Sequence, residues 1–154
     1  MAVGRFRRAT VTPVLDTNAY ADGDQVSTLQ TISDILPDHQ AGEIQLITVL
    51  DKANQKVALD LFFFDSSSVT LAADNAAFTV SDSDMENCVG VVNVAAADYD
   101  AVSTTNGFAT ISINFPIQPR NGNGGDIYMA IVSRGTPTYA ASSLVFGFVA
   151  ESRN

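Results

Sequence analysis

The chain predicts an all-β fold: a single antiparallel β-sandwich of about eight strands with one short helical turn. Three observations carry that prediction. Short apolar runs recur along the 154 residues, and small polar residues separate them. Turn-forming clusters of Gly, Pro, Asn, Asp and Ser punctuate the runs at roughly the 8–12-residue spacing of sandwiches and barrels. The third observation is Asp60-Leu61-Phe62-Phe63-Phe64-Asp65, an apolar burst between two aspartates. It is too short for a helix and too apolar for a loop. It reads as a strand buried on both faces that meets water at its ends.

The elements follow in order. Residues 1–12 alternate weakly and read as an N-terminal arm or an edge strand, with the sandwich domain occupying 13–154. Residues 16–25 are loop-like. Residues 26–36 place Val26, Leu29, Ile32, Ile35 and Leu36 at a spacing a helix could use, but Thr28, Thr31 and Ser33 favour a strand. Pro37 to Gly42 is a turn. Ile44, Leu46, Ile47, Val49 and Leu50 mark a strand over 43–51, and 57–64 reads as its antiparallel neighbour across a polar hairpin loop. An excursion runs from Ser66 to about Phe78. Residues 81–87 form the helical turn, with Ser83 and Glu86 at capping-box spacing. Strands follow over 88–95, 108–115, 127–132 and 144–149. Pro116 and Pro119 close the second of these, and Gly122-Asn123-Gly124-Gly125 reads as a hairpin tip. No repeat and no linker calls for a second domain.

Composition narrows the function. The net charge is −9, yet Arg5, Arg7 and Arg8 precede every acidic residue; beyond them 5 basic residues face 17 acidic ones, a balance of −12. Such a body repels nucleic acid and anionic membranes. Charged residues are only 16% of the chain, which suits either a protein packed against neighbours or an exposed domain with a polar uncharged skin. One cysteine, Cys88, precludes an intrachain disulfide and reads as a small buried hydrophobe. The first residues lack the apolar stretch of a signal peptide, and no run approaches membrane-span length, so synthesis in a reducing cytoplasm is expected.

The candidate sites are few. A lone histidine, His39, cannot build a zinc site or a triad. Asp82, Asp84 and Glu86 have a spacing that could ligate calcium, but the glycine and later glutamate of an EF-hand are missing, so a charged helix start is the simpler reading. Asp22-Gly23-Asp24 is a turn before it is a cation site. Paired carboxylates could hydrolyse glycosides, but the chain has no Trp for a sugar platform. The glycine cluster at 122–125 lacks the Lys and Ser/Thr of a phosphate loop. No catalytic, cofactor or metal residue is assigned, and no enzymatic activity is expected. Arg5-Phe6-Arg7-Arg8 is the candidate partner-binding segment. As an extended arm of ten residues it reaches roughly 33 Å, with Arg5, Arg7 and Arg8 pairing carboxylates and Phe6 filling a pocket. Ordering such an arm costs entropy, so it needs burial as well as charge.

Five stretches, in order, resemble one family. They are Tyr20-Ala21-Asp22-Gly23-Asp24-Gln25-Val26, Asp60 to Asp65, Ala73-Asp74-Asn75-Ala76-Ala77-Phe78, Val89-Gly90-Val91-Val92 and Arg134-Gly135-Thr136-Pro137-Thr138-Tyr139-Ala140. Over roughly residues 10–150 the chain resembles the auxiliary virion proteins of tailed bacteriophages, the decoration or cement type, with a sandwich of jelly-roll type. The resemblance implies a non-enzymatic protein assembled onto the phage particle. The expected role is a capsid decoration protein on the capsid surface, made in the host cytoplasm, that stabilises the shell by bridging major capsid subunits. Its partners would be the major capsid protein and copies of itself, with no nucleic acid and no membrane. A homo-oligomer is expected, a trimer being one arrangement. The alternative is a tail- or fibre-associated module that binds host glycan. It would need an exposed aromatic cluster, with Tyr20, Tyr99, Tyr128 and Tyr139 as the available tyrosines.

Overall fold

A computed structural model describes residues 5–153. Its elements are β1 Arg5–Val11, β2 Gln25–Ile32, β3 Gly42–Asp51, β4 Leu59–Phe64, α1 Asp82–Met85, β5 Cys88–Val94, a 3-10 turn Ala96–Asp98, β6 Gly107–Ile117, β7 Ile127–Ser133 and β8 Leu144–Ser152. The strands form two four-stranded sheets, ordered β1-β8-β3-β6 and β2-β7-β4-β5. Every pairing is antiparallel. The chain crosses between sheets after almost every strand; among consecutive strands only β4 and β5 pair. This strand order is that of a jelly roll.

The order corrects two expectations. Residues 43–51 and 57–64 are not a hairpin, because β3 lies between β6 and β8 while β4 lies between β5 and β7 in the opposite sheet. Alternation shows that each segment is a strand but does not choose its partner. The crossing is organised by Asp51, fully buried. Its carboxylate accepts the backbone N–H groups of Ala53 at 2.9 Å, Gln55 at 2.7 Å and Lys56 at 2.8 Å. Likewise, residues 122–125 are not a hairpin tip but part of the crossing from β6 to β7. Gly125 adopts φ +91°, and a Cβ there would collide with the carbonyl oxygen of Leu36.

Local details differ in smaller ways. The helical turn is capped two residues earlier than the spacing suggested: the Ser81 side chain accepts from the Asp84 N–H at 3.1 Å. The strand expected over 26–36 ends at Ile32, and Ile35 and Leu36 are buried in the turn beyond it. Strand β6 runs through Pro116 to Ile117; at the rim of its sheet, a missing N–H can face away from the ladder.

The two sheets enclose the main core, where Phe63 packs against Phe115 with ring centroids 5.2 Å apart and edge-on to Phe148 at 6.2 Å. A second apolar cluster lies outside the β2-β7-β4-β5 sheet. There Phe64, Tyr128 and Ala130 are covered by Val69, and Phe62, Leu71, Phe78 and Val80 pack around them. The cover is the excursion after β4, and Phe62 packs against Phe78 with ring centroids 4.8 Å apart and the planes tilted by 36°. Strand β4 is thus buried from both sides, as Asp60 to Asp65 suggested, and all seven residues of β7 are buried.

Candidate interaction surfaces

Strand β1 is the rim of the first sheet. Residues that face each other in an antiparallel ladder share a face. Arg5, Arg7, Ala9 and Val11 lie opposite Ser152, Ala150, Phe148 and Phe146, so they take the core side, whereas Phe6, Arg8 and Thr10 lie opposite Glu151, Val149 and Gly147 on the outer side. The four candidate residues Arg5, Phe6, Arg7 and Arg8 are therefore split by the pleat between two faces. Arg7 donates to the carbonyl oxygen of Asp34 at 3.1 Å. Phe6 is 63% exposed. Among the described residues no carboxylate forms a salt bridge with any of the three arginines.

The outer face of β1-β8-β3-β6 can be read row by row from its register. One row is Val145, Leu50 and Phe108. The next is Thr10, Gly147, Thr48 and Thr110. A third is Arg8, Val149, Leu46 and Ser112, and a fourth is Phe6, Glu151, Glu43 and Pro116. A Cβ at Gly147 would meet the Thr48 hydroxyl, so a larger residue there would force Thr48 to turn aside. Charge is confined to one end, at Arg8, Glu43 and Glu151. The rest is threonine, Ser112, Gly147 and apolar side chain, with Phe108 44% exposed. Large apolar groups laid out on an uncovered sheet face mark a contact surface more often than chance exposure does. A signal for this face was present in the sequence: residues 43–51 are apolar at both parities of the strand repeat, and one parity suffices to line a core.

A cleft of about 570 Å³ opens at one end of the sandwich. Ile117, Pro119, Pro116 and Val89 contribute its apolar lining, and His39, Asp65, Arg120 and Arg153 contribute polar and charged groups. Arg120 forms a salt bridge with Asp65 at 3.0 Å and donates to the Asn87 side-chain oxygen at 2.7 Å. Arg153 pairs with Glu43. Sequence reasoning missed this cleft because its residues come from five separate stretches of chain.

The other singled-out residues have local roles. His39 is exposed in its turn with φ 57°. Asp24 accepts the Ala21 N–H at 2.7 Å, and Asp22 lies 3.4 Å from Arg134. Asp84 accepts the Thr70 N–H at 3.2 Å and so ties α1 to the excursion. Among the described residues no cluster of three His, Cys, Asp or Glu side chains could hold a metal ion. Cys88 is half-buried, and burial pushes its thiol pKa up. All four tyrosines are buried. The Tyr20 hydroxyl donates to Asp74 at 2.8 Å, and the Asp74 carboxylate also accepts the N–H groups of Asp16 and Ser27, each at 2.7 Å. This network pins the excursion to the chain before β2, joining two of the stretches that carry the family resemblance.

No protein-family model matches this chain, and no curated protein does. Among solved structures it is similar to a chain in the structure of tomato aspermy virus, at 14% identity and a TM-score of 0.40, over 100% of this chain and 79% of that one. It is similar to a chain of desmodium yellow mottle tymovirus at 9% identity and a TM-score of 0.29, over 99% and 82%. It is also similar to a chain in the native virion of Kashmir bee virus at neutral pH, at 10% identity and a TM-score of 0.32, over 95% and 70%. These likenesses are distant, and the jelly-roll assignment rests on the strand order above.

Proposed function

We propose that this chain is a non-enzymatic virion structural protein, a tailed-phage capsid decoration protein that adheres to the major capsid protein through the outer face of β1-β8-β3-β6. The observation that carries the reading is the asymmetry of the sandwich. Among the described residues the chain covers one sheet with its own excursion and leaves the other open, apolar over most of its face and charged at one end. The family resemblance supplies the class of partner. Phe6 and Arg8 belong to the adhesive face, and Arg5 and Arg7 border it from the core side. Individual contacts of this kind are weak, but many copies on a shell, bridging adjacent subunits, act by avidity. The glycan-binding alternative lacks its tyrosine platform, since all four rings are inside.

The test is co-sedimentation with purified particles stripped of the chain. Thr110→Arg places a charge on the β6 side of the open face, beside Thr48, at an exposed position. It should abolish binding while leaving thermal unfolding unchanged. Full binding by this variant would remove the open face from the account.

A further inference from the structure

The cleft described above is apolar and carries two half-exposed guanidinium groups, Arg120 and Arg153, each already paired with one carboxylate, Asp65 and Glu43. Beside it stands a segment with the opposite chemistry. Turn α1 carries Asp82, Met85 and Glu86, all exposed, with no basic residue in its last turn. Neither Asp82 nor Glu86 forms a salt bridge among the described residues. We propose that the cleft is a self-association site that receives the α1 turn of a second copy of this chain. Met85 would enter against Ile117 and Pro119, while Asp82 and Glu86 would meet Arg120 and Arg153.

Three observations support the match. First, the groups can pair: Asp82 and Glu86 form no salt bridge among the described residues, and the guanidinium groups of Arg120 and Arg153 reach solvent at the cleft. Second, Arg120 and Arg153 remain 50% and 66% exposed despite their own carboxylate partners. Each guanidinium has five donors, and one internal salt bridge leaves several free. Methionine is an unbranched, adaptable side chain suited to an irregular cleft. Third, turn and cleft lie side by side, joined by the bond from Arg120 to Asn87 just after α1. A two-fold axis then lets each copy offer its turn to the other's cleft, so the contact closes as a dimer and every pairing occurs twice. The inference concerns copies in solution and stands or falls independently of where the chain sits on a particle.

The experiment is sedimentation equilibrium of the full chain over a concentration series, with three variants. Wild type should dimerise, more weakly as salt rises. Arg120→Glu and Glu86→Arg should each weaken dimerisation by roughly tenfold or more, since each change counts twice. The doubly substituted chain should recover it, because both pairs are restored with the signs exchanged. Glu86 lies on the surface and has no internal partner, so its variant reports on association even if loss of the Arg120–Asp65 pair disturbs the fold. A wild type that stays monomeric throughout would overturn the proposal. So would a Glu86→Arg chain that dimerises as wild type does, or two impaired single variants whose combination recovers nothing.

Discussion

The two sheets of this sandwich have similar inner faces and opposite outer ones. The outer face of β2-β7-β4-β5 carries Phe62, Phe64 and Tyr128, and the excursion after β4 folds back to cover them. The outer face of β1-β8-β3-β6 carries Leu46, Leu50, Val145, Val149 and Phe108, and no other described segment covers it. Aromatic bulk requires a lid if the monomer is to be soluble. A surface of valine, leucine and threonine, partly exposed, is tolerable in water and still gains by being covered. One apolar face is spent on stability, and the other is the face proposed above for a partner.

The largest effect should separate those two uses. Phe64→Ala empties the covered face and should cost about 3–5 kcal/mol in chemical denaturation. Phe108→Ala, on the open face, should cost within about 1 kcal/mol. Equal costs would break the comparison. Next in size is the pin that holds the lid. Asp74→Ala removes the acceptor of the Ser27 N–H and the Tyr20 hydroxyl and leaves the Asp16 N–H only the Tyr20 oxygen, and should cost about 2–3 kcal/mol. Hydrogen exchange should quicken at Phe78, whose N–H donates to the Gly23 carbonyl, and stay unchanged in β3 and β8.

Alkaline pH should act on the same region. Burial, then the hydrogen bond and charge of Asp74, raise the Tyr20 pKa above its ordinary value near 10; burial, reinforced by Asp51, does the same for Tyr99 and Tyr139. A raised pKa means that the folded state keeps the proton longer than the unfolded state does. The stabilisation is fully present below pH 10 and is lost as pH rises from there towards the folded values. Thermal stability should therefore fall progressively above pH 10, and Tyr20→Phe should shallow that fall. A stability flat across this range would contradict the burial assigned to these rings. The smallest effect on stability should come from Phe6→Ala and Arg8→Ala, each within about 0.5 kcal/mol. Both should nonetheless weaken particle binding. They are cleaner probes than removal of residues 1–9, which would take away Ala9, packed against the core.

Much of the fold was legible. Asp60 to Asp65 announced a strand buried from both sides because no other element accommodates four apolar residues between two charges. Strands were recognised from alternation and turn residues, which are local. Strand partners were not, since alternation over 43–51 and 57–64 fits either sheet. The role of Asp51 was hidden because a buried carboxylate that accepts three N–H groups looks in sequence like any polar turn residue. The candidate site was legible only in part. Arg5-Phe6-Arg7-Arg8 reads as one basic cluster along the chain, but the two-residue repeat of β1 sends alternate members to opposite faces. The open face needed the register of four strands, and the cleft needed the crossing from β6 to β7.

The most direct test of the central claim is electron cryomicroscopy of a particle carrying this chain, at a resolution that orients the sandwich. The account predicts that Leu46, Thr48, Thr110 and Val149 face the major capsid protein and that the excursion carrying Phe78 faces solvent. A map with the β1-β8-β3-β6 face turned to water, and the excursion against the shell, would contradict it.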